Sequence, residues 1–157
     1  MIPELAYAFV LSVVTLLATA KGDAAMRRTV AVIFAAWVLD IAFTRLTGIY
    51  APWLWFVVID TIAVRILMFP PRGKLQGFVG VAFCAQLAVN IGYGAYTVQY
   101  GYDFERAILR WEVIEVIGYV KLFLVGGWAL ADVVRGYLAR RRATAQVAGV
   151  ARLGRVD

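Results

Sequence analysis

Histidine is absent from this chain of 157 residues, and only one cysteine, Cys84, is present. A disulfide framework needs at least two cysteines, and the usual zinc site is built from cysteine and histidine. Catalysis by a serine–histidine–aspartate triad and acid–base chemistry by an imidazole are excluded in the same way. The chain also carries no catalytic motif. We therefore expect a protein that is not an enzyme and that has neither a metal site nor a cofactor.

Charged residues are scarce as well, at 17% of the chain, whereas 63% of the residues are hydrophobic. A soluble domain has about 25% charged and about 45–50% apolar residues. The excess of apolar side chains is too large for one globular core of this size. The composition therefore predicts an all-α, polytopic membrane bundle surrounded by a lipid bilayer. A nucleic-acid-binding domain is a poor fit, despite an isoelectric point of about 9.8.

Long apolar runs divide the chain into membrane spans. A helix that crosses the hydrocarbon core needs about 20 mostly apolar residues. Five segments meet this requirement, and we predict a five-helix transmembrane domain over residues 1–141. The basic tail, residues 142–157, is expected to be frayed or to lie on the membrane surface. The predicted spans cover residues 2–20, 29–47, 52–69, 75–98 and 108–134.

The distribution of lysine and arginine predicts the orientation of these spans. With five spans, eleven of the sixteen basic residues lie on one side, in the loops 21–28 and 70–74 and after residue 134. Only Arg106 and Arg110 lie on the other side. Because basic loops stay in the cytoplasm, the N-terminus is predicted outside and the C-terminus inside, in the cell (inner) membrane. The basic loops and tail are expected to attract anionic lipid headgroups, and the protein can form a homo-oligomer.

Ionisable side chains also lie within the predicted spans. Each costs about 2.5–3.5 kcal/mol at the centre of a membrane helix, so we expect these residues to face the bundle interior and to pair. Their depth in antiparallel spans predicts three layers, which form a ladder of charges. The predicted layers pair Arg45 with Glu112 or Glu115, Lys121 with Asp60 or Asp40, and Arg65 with Asp132.

The fourth span adds a polar stripe to this ladder. Gln86, Asn90, Tyr93 and Thr97 are spaced by four, three and four residues, which places them on one helix face. Gln86 and Asn90 are expected to hydrogen-bond to Asp40 or Asp60. The complete predicted network comprises Asp40, Arg45, Asp60, Arg65, Gln86, Asn90, Glu112, Glu115, Lys121 and Asp132.

The network also predicts how the helices pack. Spans two, three and five are expected to pack together around the charges. The first span, which has no charge after Glu4, is expected to pack at the periphery. Its predicted contact residues are the small side chains of Ala8, Ser12 and Ala18, which allow helices to approach closely.

Two roles are open for such a ladder. Buried ion pairs can do no more than fix the register and the partners of helices. Alternatively, the ladder passes a proton or a small solute. The predicted spans contain five carboxyl groups but only three basic groups, so at least one carboxyl group is expected to carry an exchangeable proton. Asp60 and Asp40 are the leading candidates because they lie deepest.

Two resemblances accompany these interpretations. The length and five-span outline are similar to the tryptophan-rich sensory protein family. However, the loop 21–28 lacks the tryptophan and proline expected there, so that function is not carried over.

The second resemblance lies in residues 50–95, which contain Trp53-x-Trp55, Asp60, Pro70-Pro71-Arg72-Gly73-Lys74, Gln86 and Tyr93-Gly94. This stretch resembles small multi-pass membrane proteins encoded in tailed-bacteriophage or prophage genomes. The resemblance implies a holin-like or lysis-associated protein that oligomerises to permeabilise the membrane. Holins usually have one to three spans, so a five-span protein departs from that pattern. This role is the alternative to the proton or solute path.

Overall fold

The computed structural model describes residues 2–47, 53–70 and 73–153, with side chains for 5–20, 22–47, 53–70 and 73–142. All regular structure in these ranges is α-helical, as predicted. The helices are α1 (Ile2–Lys21), α2 (Ala24–Thr47), α3 (Trp53–Met68), α4 (Lys74–Tyr100) and α5 (Phe104–Leu153). Among the residues with described side chains, three helices are long and apolar enough to cross a membrane: α2, α4 and the Phe104–Arg142 part of α5. Helix α3 and the described part of α1, Leu5–Ala20, are shorter.

Two aspartates make α2 and α5 begin earlier than the apolar runs predict. Asp23 Oδ1 accepts a hydrogen bond of 2.7 Å from the backbone N–H of Met26. Asp103 Oδ1 accepts bonds of 3.0 Å and 3.3 Å from the backbone N–H groups of Glu105 and Arg106. Because an aspartate at this position satisfies the free amides of a first turn, each helix begins directly after its capping residue.

Helix α5 has 50 residues and continues to Leu153. The predicted position of the tail on the membrane surface stays a prediction, and the backbone of the tail is helical up to Leu153. The physical reason is that the chain has no proline after Pro71 and that alanine, arginine and leucine are strong helix formers. At about 1.5 Å per residue, α5 is about 75 Å long.

Helix α4 lies between α3 and α5, which differs from the predicted packing. No Cα atom of α3 lies within 8 Å of a Cα atom of α5, whereas α2 contacts α3, α4 and α5. Glycines let α3 approach α4. A Cβ atom at Gly80 would lie 2.6 Å from Cγ of Met68, and one at Gly94 would overlap the ring of Trp53. Of the packing predicted for spans two, three and five, the contacts of α2 with α3 and with α5 are present, whereas the direct approach of α3 to α5 is not.

Helix α1 packs against α2 and α5. Its buried stripe is Leu11, Val14 and Ala18, at the spacing of one helix face. Of the small residues predicted at this contact, Ala18 is buried and Ala8 is half-buried. Ser12 is exposed, and its hydroxyl donates to the carbonyl of Ala8 on its own helix at 2.8 Å. The larger apolar side chains therefore form this contact, and not a small-residue stripe through Ser12.

Large apolar side chains cover the outside of the bundle, and a few polar side chains lie within a mostly apolar interior. On α5, Phe123 is 79% exposed, whereas Lys121, two residues earlier, is 5% exposed. On α1, Phe9 is 70% exposed. A soluble protein usually shows the opposite arrangement, because burying an unpaired lysine is costly and exposing large apolar side chains to water is unfavourable. The distribution is consistent with a membrane protein.

Candidate functional site

Asp60 is the centre of the candidate site and is fully buried. Phe56, Ile59, Ala63 and Leu67 share its buried face of α3. Asp60 therefore points into the bundle because it lies on the same helical stripe as the apolar residues that pack there.

Two side-chain amides of α4 bind this carboxyl group. Gln86 Nε2 donates to Asp60 Oδ1 at 2.7 Å, and Asn90 Nδ2 donates to Asp60 Oδ2 at 2.7 Å. Gln86 and Asn90 are four residues apart, which places both amides on the face of α4 that meets α3. The structure thus brings Gln86 and Asn90 to Asp60 and not to Asp40, one of the two partners that the sequence allowed.

Lys121 approaches the same amide from α5. Its Nζ atom donates to Gln86 Oε1 at 2.7 Å and lies 3.8 Å from the centroid of the Phe83 ring. Gln86 therefore separates the ammonium group from Asp60, and no direct ion pair joins Lys121 to Asp60 among the described residues. We call Asp60, Gln86, Asn90 and Lys121 the central network.

A cavity of about 410 Å³ lies beside the central network. Gln86 and Lys121 line it together with Asp40, which is half-buried on α2. The Oδ1 atom of Asp40 is buried and has no hydrogen-bond partner among the described residues. Tyr7, Trp37 and Trp111 contribute aromatic surface to the same cavity. A second carboxyl group thus faces an open space next to the network.

Arg110 is a site residue that the sequence analysis missed. The sequence analysis counts Arg110 with Arg106 on the outer side of the membrane, but α5 begins at Phe104 and Arg110 is buried in the bundle. Its guanidinium carbon lies 4.7 Å, 5.0 Å and 4.9 Å from the ring centroids of Phe56, Tyr93 and Trp111. Its Nε and Nη2 atoms have no hydrogen-bond partner among the described residues.

A sequence signal for Arg110 was present. Arg110, Ile114, Gly118 and Lys121 are spaced by four, four and three residues, which is one helix face. If Lys121 faces inward, Arg110 must face inward too. The predicted start of the fifth span at residue 108 concealed this relation, because it left Arg110 at the very end of the helix.

The outer and inner layers of the predicted ladder are not formed among the described residues. Arg45, Arg65, Glu112 and Glu115 are exposed, and no ion pair joins Arg45 to Glu112 or Glu115. Asp132 pairs with Arg135 on its own helix, at 2.6 Å, and not with Arg65. Arg65 instead donates to the carbonyl of Phe69 at 3.4 Å. Long charged side chains near helix ends can extend towards water, so they need no partner in the interior.

Among the described residues, Asp40, Asp60, Lys121 and Arg110 form one cluster of charged groups whose charges balance. Asp40 and Asp60 lie within electrostatic range of each other, of Lys121 and of Arg110. Two carboxylates and two basic groups give a neutral cluster when all four are ionised. Such a cluster can take up one additional positive charge, whether a proton or a bound cation, on the carboxyl group that faces the cavity.

Searches of protein-family models, of curated proteins and of solved structures find no match to this chain.

Proposed function

We propose that this chain is a non-enzymatic, multi-pass protein of the cell (inner) membrane that carries protons across the bilayer through Asp40 and Asp60. The observation that supports this proposal is a fully buried carboxyl group, Asp60, bound by two amides beside a cavity that a second carboxyl group faces. Ionisable groups in the interior of membrane bundles commonly belong to ion or proton pathways.

The proposal includes five spans, with α1 and α3 crossing the membrane alongside the three longer helices. Two features support it. Helix α3 places Asp60 against α4, and α1 packs against α2 and α5, so both shorter helices belong to the bundle. The excess of lysine and arginine in the loops 21–28 and 70–74 and after residue 134 favours an outside N-terminus and a cytoplasmic C-terminus. Arg140, Arg141 and Arg142, which are exposed on α5, would then contact anionic headgroups.

The chemistry of the proposed path follows from the positions of the two carboxyl groups. Asp40 exchanges its proton with water or solute in the cavity that this residue lines. Its Oδ1 atom is buried and has no hydrogen-bond partner among the described residues. Lys121 and Arg110 stabilise the ionised form that remains when a proton leaves. Asp60 takes the proton deeper, and Gln86 and Asn90 hold the carboxyl group in a fixed orientation while it does so.

Proton flux into vesicles tests the proposal. The purified protein is reconstituted with a pH-sensitive dye inside, a pH gradient is imposed, and potassium with valinomycin compensates the charge. We expect the wild-type protein to dissipate the gradient, and Asp60→Asn to slow this by about tenfold or more, because an amide cannot exchange a proton at neutral pH. Asp132→Asn is the matched control, because Asp132 pairs with Arg135 and does not belong to the central network.

Several results would contradict the proposal. One is wild-type flux in Asp60→Asn, and another is equal flux in vesicles with and without protein. If Asp60→Asn does not fold, Asp40→Asn takes its place, because Asp40 has no hydrogen-bond partner at Oδ1 to lose. Release of a large trapped dye by the wild-type protein would favour the membrane-permeabilising alternative over a proton path.

A further inference from the structure

The cavity beside the central network has unused hydrogen-bond acceptors. Asp40 Oδ1 has no partner, and the Glu115 carboxyl group, which also lines the cavity, makes no hydrogen bond or ion pair among the described residues. Two basic side chains, Lys121 and Arg45, also line the cavity. Lys121 donates to Gln86 and lies on the Phe83 ring, and Arg45 is involved in another interaction. A ligand that suits this lining therefore carries a positive charge and a hydrogen-bond donor.

Aromatic side chains form the other part of the lining. The ring centroids of Tyr7 and Trp37 are 6.1 Å apart, and Trp111 lines the same cavity from α5. Gly118 leaves room for Tyr7, since a Cβ atom there would lie 3.0 Å from Tyr7 Cε2. Aromatic faces attract cations, and they also pack against an apolar ligand body.

The size and chemistry of the cavity exclude other classes of occupant. A volume of about 410 Å³ lies within the usual range for organic ligands, about 300–1,000 Å³. A bare inorganic cation such as Ca²⁺ needs about six to eight oxygen ligands at short distance. The two carboxyl groups of the lining, Asp40 on α2 and Glu115 on α5, do not provide that many. An anion would meet the carboxyl groups of Asp40 and Glu115, and the ammonium group of Lys121 in the same lining is already hydrogen-bonded to Gln86.

We propose that this cavity binds a small organic ammonium ion. Its N–H groups donate to the carboxyl groups of Asp40 and Glu115, and its apolar body lies against Tyr7, Trp37 and Trp111. The inference rests on the proposed function, because it names the substrate class of the same site. The ammonium ion and the proton compete for Asp40, because each adds one positive charge to a cluster of two carboxylates and two basic groups. Binding of the ammonium ion therefore releases the proton that Asp40 carries.

Equilibrium dialysis with the full chain in detergent tests this inference. The probe is radiolabelled 2-phenylethylammonium, and 3-phenylpropionate is the control ligand, with a similar body and the opposite charge. We expect the ammonium ion to bind and the carboxylate to bind about tenfold more weakly or not at all. Asp40→Asn is expected to weaken ammonium binding by about tenfold or more, because it removes the charged acceptor.

The chain offers a matched control for the carboxyl groups. Glu112 and Glu115 are both exposed on α5, but only Glu115 lines the cavity. Glu115→Gln is expected to weaken binding measurably, whereas Glu112→Gln is expected to remain within about twofold of wild type. This pair also keeps the test decisive if Asp40→Asn fails to fold, because neither exposed glutamate supports the core.

The inference is overturned if both probes bind alike, if neither binds, or if Asp40→Asn and Glu115→Gln bind the ammonium ion as wild type does. Its failure is distinguishable from failure of the proposed function. If the protein carries protons but does not bind the ammonium ion, the proposed proton path stands and the ligand inference is contradicted. If the protein binds the ammonium ion but carries no protons, the binding site stands and the proposed proton path is contradicted.

Discussion

Asp60 on α3 and Lys121 on α5 are joined through a single side-chain amide, that of Gln86 on α4. The amide donates to the carboxylate and accepts from the ammonium group, both at 2.7 Å. The backbones of α3 and α5 do not approach each other, so this amide is the shortest described connection between the two charges. The position of α4 between them therefore decides how the charges of the bundle interact.

Gln86→Leu is expected to destabilise the protein strongly. The variant removes one hydrogen bond from a carboxylate and one from an ammonium group, each worth about 1.5–3 kcal/mol. We expect the free energy of unfolding in detergent to fall by about 3 kcal/mol or more, as measured by chemical unfolding. Gln99→Leu is the control, because Gln99 is exposed on the same helix. If both variants lose the same free energy of unfolding, the hydrogen bonds of Gln86 to Asp60 and Lys121 contribute little to stability.

Asp60→Asn and Lys121→Met are expected to interact when they are combined. Each single change leaves the opposite charge buried with less compensation, whereas the double change removes both charges. We expect the double variant to lose less stability than the sum of the single losses, with a coupling of about 0.5–3 kcal/mol. Unfolding of all four proteins under one condition gives this value. Strictly additive losses would mean that the amide does not transmit the interaction.

Gly94→Ala is expected to separate α3 from α4. A Cβ atom at residue 94 would overlap the Trp53 ring, so the helices must move apart or the ring must rotate. Overpacking of this kind usually costs about 1–3 kcal/mol, which a lowered thermal midpoint would report. Gly92→Ala is the control two residues earlier, where an added Cβ atom meets nothing within 4 Å. Since alanine is a better helix former than glycine, Gly92→Ala is expected to keep or raise the midpoint. A midpoint for Gly94→Ala that is no lower than that of Gly92→Ala would contradict the predicted overlap with Trp53.

Cysteine labelling is expected to report five spans with the N-terminus outside. In a Cys84→Ala background, single cysteines replace four exposed residues. Three lie at helix starts, Ala24, Lys74 and Glu105, and Arg141 lies in the C-terminal part of α5. We expect a membrane-impermeant maleimide to label intact cells only at residue 105, and the other three positions only after permeabilisation. Labelling of residue 24 in intact cells would mean that α1 does not cross the membrane in the expected direction.

The sequence by itself determined the secondary structure and much of the polar pattern. Run length and composition predicted helices in all five segments, because backbone hydrogen bonds within a helix are local. The spacing of Gln86 and Asn90 predicted a shared face, since a helix repeats every 3.6 residues. The same periodicity linked Arg110 to Lys121, although the predicted start of the fifth span obscured that relation.

Only the tertiary structure decided which faces meet. Helix rotation and neighbour choice depend on close packing, for example of Gly94 against Trp53, and a list of charges does not contain that information. Packing placed α4 between α3 and α5, gave Asp60 two amide partners, and left Asp40 facing a cavity. Charges near helix ends, such as Arg65 and Glu112, stayed outside because long side chains can extend to a polar surface without a partner.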